Sequence, residues 1–333
     1  MDIGIVGLGK MGLNMALRLR RGGHRVVVHN RSQGPADTAK AEGAEQAEQM
    51  GDLLTLLAAP RVVWVMLPAG EVNDDHVGRL IELLEPGDVL VDGANARYTD
   101  TLAKAEQAGE KGVQYVDAGV SGGVWGLEGG YSMMVGGSDA AVARVRPALE
   151  TLAPAPDTGW GHVGPVGSGH FVKMVHNGIE YGMMQAYAEG FALLDAKREF
   201  GGTDHQLDLA QIAELWREGS VVRSWLLDLA AAALQERPRL DGVAPFVPDS
   251  GEGRWTVEEA IRLRVPLTVI AAALFERFAS RDEHRFADRL LSALRGSFGG
   301  HPVKGLPDAA GLADDGTVEI VPGGLDTEGA HTR

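Results

Sequence analysis

The first twelve residues restrict the fold more than any other part of the chain. Asp2-Ile3-Gly4-Ile5-Val6 is a short run rich in β-branched residues and reads as a buried strand. Gly7-Leu8-Gly9-Lys10-Met11-Gly12 follows without a break, and Leu13, Ala16, Leu17 and Leu19 then recur at helical spacing. Strand, glycine turn and helix in this order open a dinucleotide-binding sheet. Gly7 permits the tight turn, Gly9 lets a pyrophosphate approach the backbone, and Gly12 lets the helix pack close to the strand. The free amides of the turn and helix start, from Leu8 through Lys10 and Met11, meet the phosphate charge with the helix dipole behind them.

The alternation continues. Strands are predicted at 25–29, 62–66, 88–91, 114–116 and 131–135, with helix-like stretches between them and a helix at 139–149. Such alternation implies an α/β domain of the Rossmann type, a doubly wound parallel sheet with ligands at the carboxyl ends of its strands. The second strand ends in His29-Asn30-Arg31-Ser32, and no carboxylate appears until Asp37. An acidic residue near this point binds the ribose hydroxyls of NAD, whereas Arg31 and Ser32 suit a 2′-phosphate, so the run favours NADP, with NAD as the alternative. Leu67, Pro68 and Ala69 follow a strand and should border the cofactor. Asn95 follows the next, within reach of nicotinamide and substrate, and Ser121-Gly122-Gly123 offers amides and a hydroxyl to a carboxylate or sugar. Trp125, Trp160 and Trp255 are read as packing residues.

The second half reads as all-α. One long helix spans about 166–198, with further helices at 207–217, 222–235, 256–264, 267–279 and 284–294. This divides the chain into a cofactor domain at 1–163, a helical substrate and dimerisation domain at 164–302, and a tail at 303–333 that is Gly-, Asp- and Pro-rich and reads as disordered. On the long helix, Lys173, His176, Asn177, Glu180 and Tyr181 form a polar cluster in apolar surroundings. A step of seven residues nearly closes two turns, so Lys173 and Glu180 share one face. An amine and a carboxyl group with an amide between them can be the base, the acid and the orienter of one reaction.

The bulk composition excludes several classes. A net charge of −15 argues against nucleic acid or an anionic membrane as partner. No apolar run is long enough for a membrane span, and the chain enters a strand directly instead of a targeting sequence. The absence of cysteine rules out disulfides and thiol catalysis and fits a reducing cytoplasm. The ten histidines show no metal-ligand spacing, so no metal is expected.

Lys173-Met-Val-His-Asn-Gly-Ile-Glu-Tyr181 resembles the active-site helix of the 6-phosphogluconate dehydrogenases. Residues 7–16 (GLGKMGLNMA), 92–95 (DGAN), 119–123 (GVSGG), 253–256 (GRWT) and 298–301 (FGGH) extend the resemblance to about residue 302, and the length is that of the compact bacterial form. A wider group of β-hydroxyacid dehydrogenases shares the glycine turn, the Ser-Gly-Gly loop and the lysine; the His-Asn-Gly-Ile-Glu-Tyr continuation separates this family from it. The resemblance implies oxidative decarboxylation of 6-phosphogluconate to ribulose 5-phosphate in the pentose phosphate pathway, with NAD(P) reduced. It implies Lys173 as base and Glu180 as acid, with His176 and Asn177 orienting the sugar. Asn95, Ser121, Gly122 and Gly123 would hold the substrate, and Tyr181 and Arg277 its phosphate. Arg295 and His301 would reach across a homodimer or homotetramer. Where the family's long members place a lysine and a threonine on the phosphate, this chain has Ser250 and Glu252. A non-decarboxylating β-hydroxyacid dehydrogenase and a non-catalytic cofactor sensor are the rival readings.

Overall fold

The computed structural model describes residues 1–197, 199–200, 202–299, 303–304 and 317–318. They divide into two compact units, Met1–Ala244 with Pro248–Glu276, and Pro245–Val247 with the residues from Arg277 onward.

The first unit opens with the expected alternation: β1 (Asp2–Val6), α1 (Lys10–Arg21), β2 (Arg25–His29), α2 (Gln33–Ala41), β3 (Glu45–Gln46), α3 (Leu53–Leu56), β4 (Val62–Val65), α4 (Glu71–Leu83), β5 (Val89–Asp92), α5 (Tyr98–Glu110) and β6 (Gln114–Ser121). The short α6 (Gly126–Gly129) leads into β7 (Ser132–Gly137), α7 (Asp139–Leu152) and β8 (Trp160–Gly164). The strands form one sheet in the order β3-β2-β1-β4-β5-β6-β7-β8. The chain winds outward from β1 to β3, then returns to β4 on the other side of β1, which puts the switch point beside the glycine turn. Alternate strand residues feed two cores. Ile3, Ile5, Val26, Val28, Trp64 and Val91 pack against α1, α2 and α7, whereas Val27, Val63, Val65 and Leu90 pack against α3, α4 and α5.

Two features depart from the expected parallel sheet. β7 pairs antiparallel with β6, because the connection between them is too short for a crossover helix to return the chain to the same end. β8 was not anticipated; it is a half-exposed edge strand, Trp-Gly-His-Val-Gly, whose pattern lacks the alternation of a buried one.

The helical half of the unit begins with α8 (Ser168–Ala196), which matches the long helix read from the sequence. A hairpin of β9 (Glu199–Phe200) and β10 (Thr203–Asp204) follows, a small exception to the all-helical expectation. Then come α9 (Leu209–Arg217), α10 (Trp225–Glu236), α11 (Glu252–Leu263) and α12 (Thr268–Ala279), the last crossing the boundary between the units. Leu209, Ala213, Leu227, Ala231 and Leu234 form a separate small core with Tyr187 and Phe191 of α8. The second unit contains α13 (Phe286–Gly299) and an antiparallel pair, β11 (Val303–Lys304) with β12 (Thr317–Val318). The rest of the predicted tail lies outside the described residues.

α8 rests its first turns on β6 and β7. Gly167 at its N-cap has no side chain to offer the free amides. The buried carboxylate of Asp117 on β6 supplies the acceptors instead, taking Gly167 N at 2.7 Å and His170 N at 2.8 Å. Replacing Asp117 with alanine leaves two buried donors unmet and removes a negative charge from the positive end of the helix dipole. The expected loss is about 3 kcal/mol in a denaturant titration, with a smaller loss for Asp117→Asn, which keeps one acceptor.

Candidate active site

The glycine turn has the geometry that its sequence predicts. Gly7 has φ of +93°, and a Cβ there would lie 2.6 Å from Met66 O. A Cβ on Gly12 would lie 2.0 Å from Gly7 O, so only a glycine lets α1 sit this close to the turn. Gly9 faces open space, with nothing within 4 Å of where its Cβ would be. No side chain caps α1 and no acid lies in its first turn, so its free amides and the exposed Lys10 offer positive charge to an anion. These residues fit a dinucleotide pyrophosphate.

Asn30 follows the last residue of β2. Its Oδ1 accepts from Leu8 N at 2.9 Å and its Nδ2 donates to Ser32 O at 2.9 Å, so it braces the turn against the end of β2. Arg31 and Ser32 beside it are exposed, and among the described residues the Arg31 guanidinium has no ion pair. Leu67 packs against Gly7, while Pro68 and Ala69 stand exposed at the end of β4.

Lys173 is only 4% exposed, in the middle of the α8 face that meets the sheet. Burial pushes its ammonium below the usual lysine range, and the charges of Glu180 and Glu252 pull the other way. Its Nζ donates to Asn177 Oδ1 at 2.6 Å and lies 3.4 Å from His176 Nδ1, which is itself 3.0 Å from Asn177 Oδ1. Lys173, His176 and Asn177 thus form one hydrogen-bonded group, and Glu180 acts on it from the next turn. α11 is held against this face. Thr256 Oγ1 lies 2.8 Å from both Met174 O and Glu252 O, and Gly178 and Gly253 leave room for Thr256 and for the Tyr181 ring. The Tyr181 hydroxyl is 3.5 Å from Ser250 Oγ, which donates to the Glu252 carboxylate. Arg254 is paired with Asp249 at 3.1 Å.

A cavity of about 850 Å³ opens beside the group. Ser121, Gly122 and Gly123 form one wall, and His176 and Glu180 project from α8. The rest is apolar except for Ser224, with Trp125, Val172, Ile179, Met183, Trp225 and Leu229 among its lining. Trp125 is 63% exposed, which corrects its reading as a packing residue. Asn95 sits in the left-handed region at φ +50°, and its amide bonds both ways with the Val120 backbone, at 2.9 and 3.1 Å. It therefore clamps the 93–95 turn to the end of β6, just before the Ser-Gly-Gly loop; each of its amide atoms keeps one further hydrogen-bonding position. Asp92, fully buried, holds the same turn from below by accepting from Ala94 N, Asn73 Nδ2 and the Tyr115 hydroxyl. Among the described residues no three His, Asp or Glu side chains gather as a metal site, and no helix is long and apolar enough to cross a membrane.

The first unit thus gathers Lys173, His176, Asn177, Glu180 and Tyr181 on one helix and brings Ser121 to Gly123 to the cavity that His176 and Glu180 line. Arg277 and Arg295 belong to the second unit, and His301 lies outside the described residues. Asp117, Gly119 and Thr256 were missed as members of the site. Asp117 could have been found: an acid within the apolar strand Tyr115-Val-Asp-Ala-Gly-Val120 must be buried, and a buried carboxylate requires donors. Nothing in the sequence marks Gly119 or Thr256 as contacts of α8.

A dinucleotide turn on a doubly wound sheet, with a buried lysine on the helix beyond it, defines a nicotinamide-dependent dehydrogenase. Residues 2–164 match the NAD binding domain of 6-phosphogluconate dehydrogenase and residues 169–295 its C-terminal domain. The chain is 41% identical over 304 residues to the NAD(+)-dependent, decarboxylating 6-phosphogluconate dehydrogenase of Haloferax volcanii, covering 91% of this chain and 98% of that one. It is 33% identical to the decarboxylating 6-phosphogluconate dehydrogenase of Staphylococcus aureus, covering 90% of this chain but 66% of that longer protein. Among solved structures, Plasmodium falciparum 6-phosphogluconate dehydrogenase superposes with a TM-score of 0.76 at 29% identity, over 93% of this chain and 67% of that one. The chain belongs to the 6-phosphogluconate dehydrogenase family.

A lysine with a lowered pKa binds fewer protons when folded than when unfolded. Between its depressed folded value and about 10.4, the unfolded value, stability therefore rises with pH, and below that window the burial cost is fully present. Lys173→Met, similar in length but uncharged, should melt above the wild type at pH 7. That advantage should shrink as the pH is raised through the window. Thermal melts at several pH values check this; a Met variant less stable at every pH contradicts it.

Proposed function

We propose that this protein catalyses the oxidative decarboxylation of 6-phosphogluconate to ribulose 5-phosphate with reduction of NAD(P), the pentose-phosphate reaction of its family, in the cytoplasm. The observation that carries the reading is the buried Lys173 in hydrogen-bonding contact with Asn177, one turn from Glu180. Burial lowers the basicity of Lys173, which makes its neutral form more accessible, and a neutral lysine can take the proton of the substrate's 3-hydroxyl as hydride leaves C3. The nicotinamide of a cofactor whose pyrophosphate is held at the glycine turn would accept that hydride. The resulting Lys173 ammonium then polarises the 3-keto oxygen while the C1 carboxylate leaves as carbon dioxide. Glu180, on the cavity wall, returns a proton to C1 of the enediol. His176 and Asn177 orient the sugar oxygens, with Asn95 and residues 121–123 holding the opposite side.

In this reading residues 1–163 hold the cofactor and 164–302 the substrate. Tyr181 meets the phosphate, with Arg295 and His301 supplied by a second copy of the chain. The apolar lining of the cavity supports a homo-oligomer, because tryptophan and methionine at a sugar-acid site are better covered by another apolar surface than by water. Glu252 matters for the phosphate. It accepts from Ser250, whose hydroxyl also lies 3.5 Å from that of Tyr181, and Arg254 is already paired with Asp249, so the arginines for a dianion must come from elsewhere. Arg31 and Ser32, exposed where a 2′-phosphate would lie, support NADP as the favoured cofactor over NAD.

Carbon dioxide release should equal cofactor reduction one to one with 6-phosphogluconate; reduction without release would leave a non-decarboxylating β-hydroxyacid dehydrogenase. Glu252→Gln should lower KM for 6-phosphogluconate about fivefold, the equivalent of about 1 kcal/mol, and change KM for gluconate much less. For Arg31→Ala the expectation is a KM for NADP raised about tenfold and a KM for NAD changed much less. Equal effects on both cofactors would remove the phosphate-reading role.

A further inference from the structure

Strand β6 lies under the helix that carries Lys173, and the two approach more closely than side chains allow. An ideal Cβ on Gly119 would fall 2.2 Å from Lys173 Cβ and 2.8 Å from its Cγ. A Cβ on Gly169, in the first turn of α8, would fall 2.5 Å from Asp117 O, 2.6 Å from Met134 O and 2.8 Å from Gly136 N. The lysine stem therefore lies where the side chain of residue 119 would be. On the same face of the strand, two residues earlier, Asp117 grips the helix start through Gly167 N and His170 N. Among the described residues its carboxylate has no cationic partner, so those amides and the helix dipole balance its charge. His170, which Asp117 holds, precedes Lys173 by one turn.

We propose that Asp117 and Gly119 are positioning residues for the proton-transfer step: Asp117 locks the first turn of α8 onto β6, and Gly119 supplies the depth into which the Lys173 stem descends. A lysine elsewhere on a helix extends its stem until the ammonium reaches water. Here the stem starts too deep for that, and the ammonium ends on Asn177. The depth matters because burial is the leading cause of the lowered basicity of Lys173. The ionisable groups around the lysine are His176 and Glu180 on its own helix, Glu252 on α11 and the amide-bound Asp117 on β6. β7 brings no titratable side chain. From α5, Thr101 bonds His170, Tyr98 meets Phe171 edge to face, and Lys104 is engaged by Asp74. On β8, His162 is turned to Gly137 O. A methyl group at position 119 would lift the stem without changing any of these charges.

The proposal rests on Lys173 as the base of the reaction above, and its test has a readout apart from turnover. The full-length protein is labelled with acetic anhydride over a range of pH, and the Lys173 peptide is followed by mass spectrometry. In the wild type the labelling midpoint should lie below that of the exposed Lys10. In Gly119→Ala it should rise by about half to one pH unit, so that labelling at a fixed pH below the midpoint, relative to its plateau, falls about three- to tenfold. The acid limb of kcat/KM should move the same way, with KM for the cofactor unchanged. A folded Gly119→Ala protein whose midpoint stays in place overturns the proposal. If that variant does not fold, Asp117→Asn decides by hydrogen exchange. Faster exchange confined to residues 167–173, with kcat lowered and cofactor KM unchanged, supports it; a uniform loss of protection along the chain rejects it. A midpoint that moves in a protein unable to oxidise 6-phosphogluconate would sink the functional reading alone.

Discussion

The contact between Asp117 and the start of α8 is the interaction on which the rest of the site depends. α8 supplies Lys173, His176, Asn177, Glu180 and Tyr181, so the relation of the chemistry to the sheet is set wherever that helix is anchored. A buried carboxylate with no cation beside it is stable only if several N–H groups converge on it, and a helix N-terminus offers them. The carboxylate and the helix end each meet the other's unsatisfied requirement. The geometry is selective, since a shift of α8 by one residue would bring different amides to Asp117 and turn the lysine off the face.

The same seat explains how a cation can be held nearly dry in a protein with a formal charge of −15. Burial opposes the ammonium, and Glu180 and Glu252 partly restore it. Depth and the two carboxylates thus act on the basicity of the lysine in opposite directions. Asn177 receives the ammonium without adding a charge, so the lysine is oriented and its basicity remains set by depth and by the two carboxylates. Ser250 in turn donates to Glu252, which ties the tuning of the lysine to the turn that precedes α11.

Much of the fold was legible because its signals are local. The run of β-branched residues before Gly7, the alternation through β5 and the long apolar period of α8 all depend on neighbours in the chain. The antiparallel turn to β7 and the edge strand β8 were not legible, since strand direction follows from connection geometry and an edge strand lacks a two-sided apolar pattern. The helix α11 begins at Glu252, ahead of the expected start, because Gly251 and the contact with α8 organise its first turn. Within the site, residue types were readable and partners were not. Asn30 and Asn95 stand out in the sequence, yet nothing there shows that their amides bond Leu8 and Val120, contacts that span 22 and 25 residues.

By itself the sequence determined that a dinucleotide could be held on the first turn and that an amine and a carboxyl group would share a helix face, because both follow from spacing along one segment. Tertiary structure alone decided how deep that amine lies, which acid secures its helix, and that Trp125 stands on a cavity wall and not in a core. Those outcomes depend on distances between segments far apart in the chain, and only the packing of α8 onto β6, where two glycines remove the intervening side chains, brings them about.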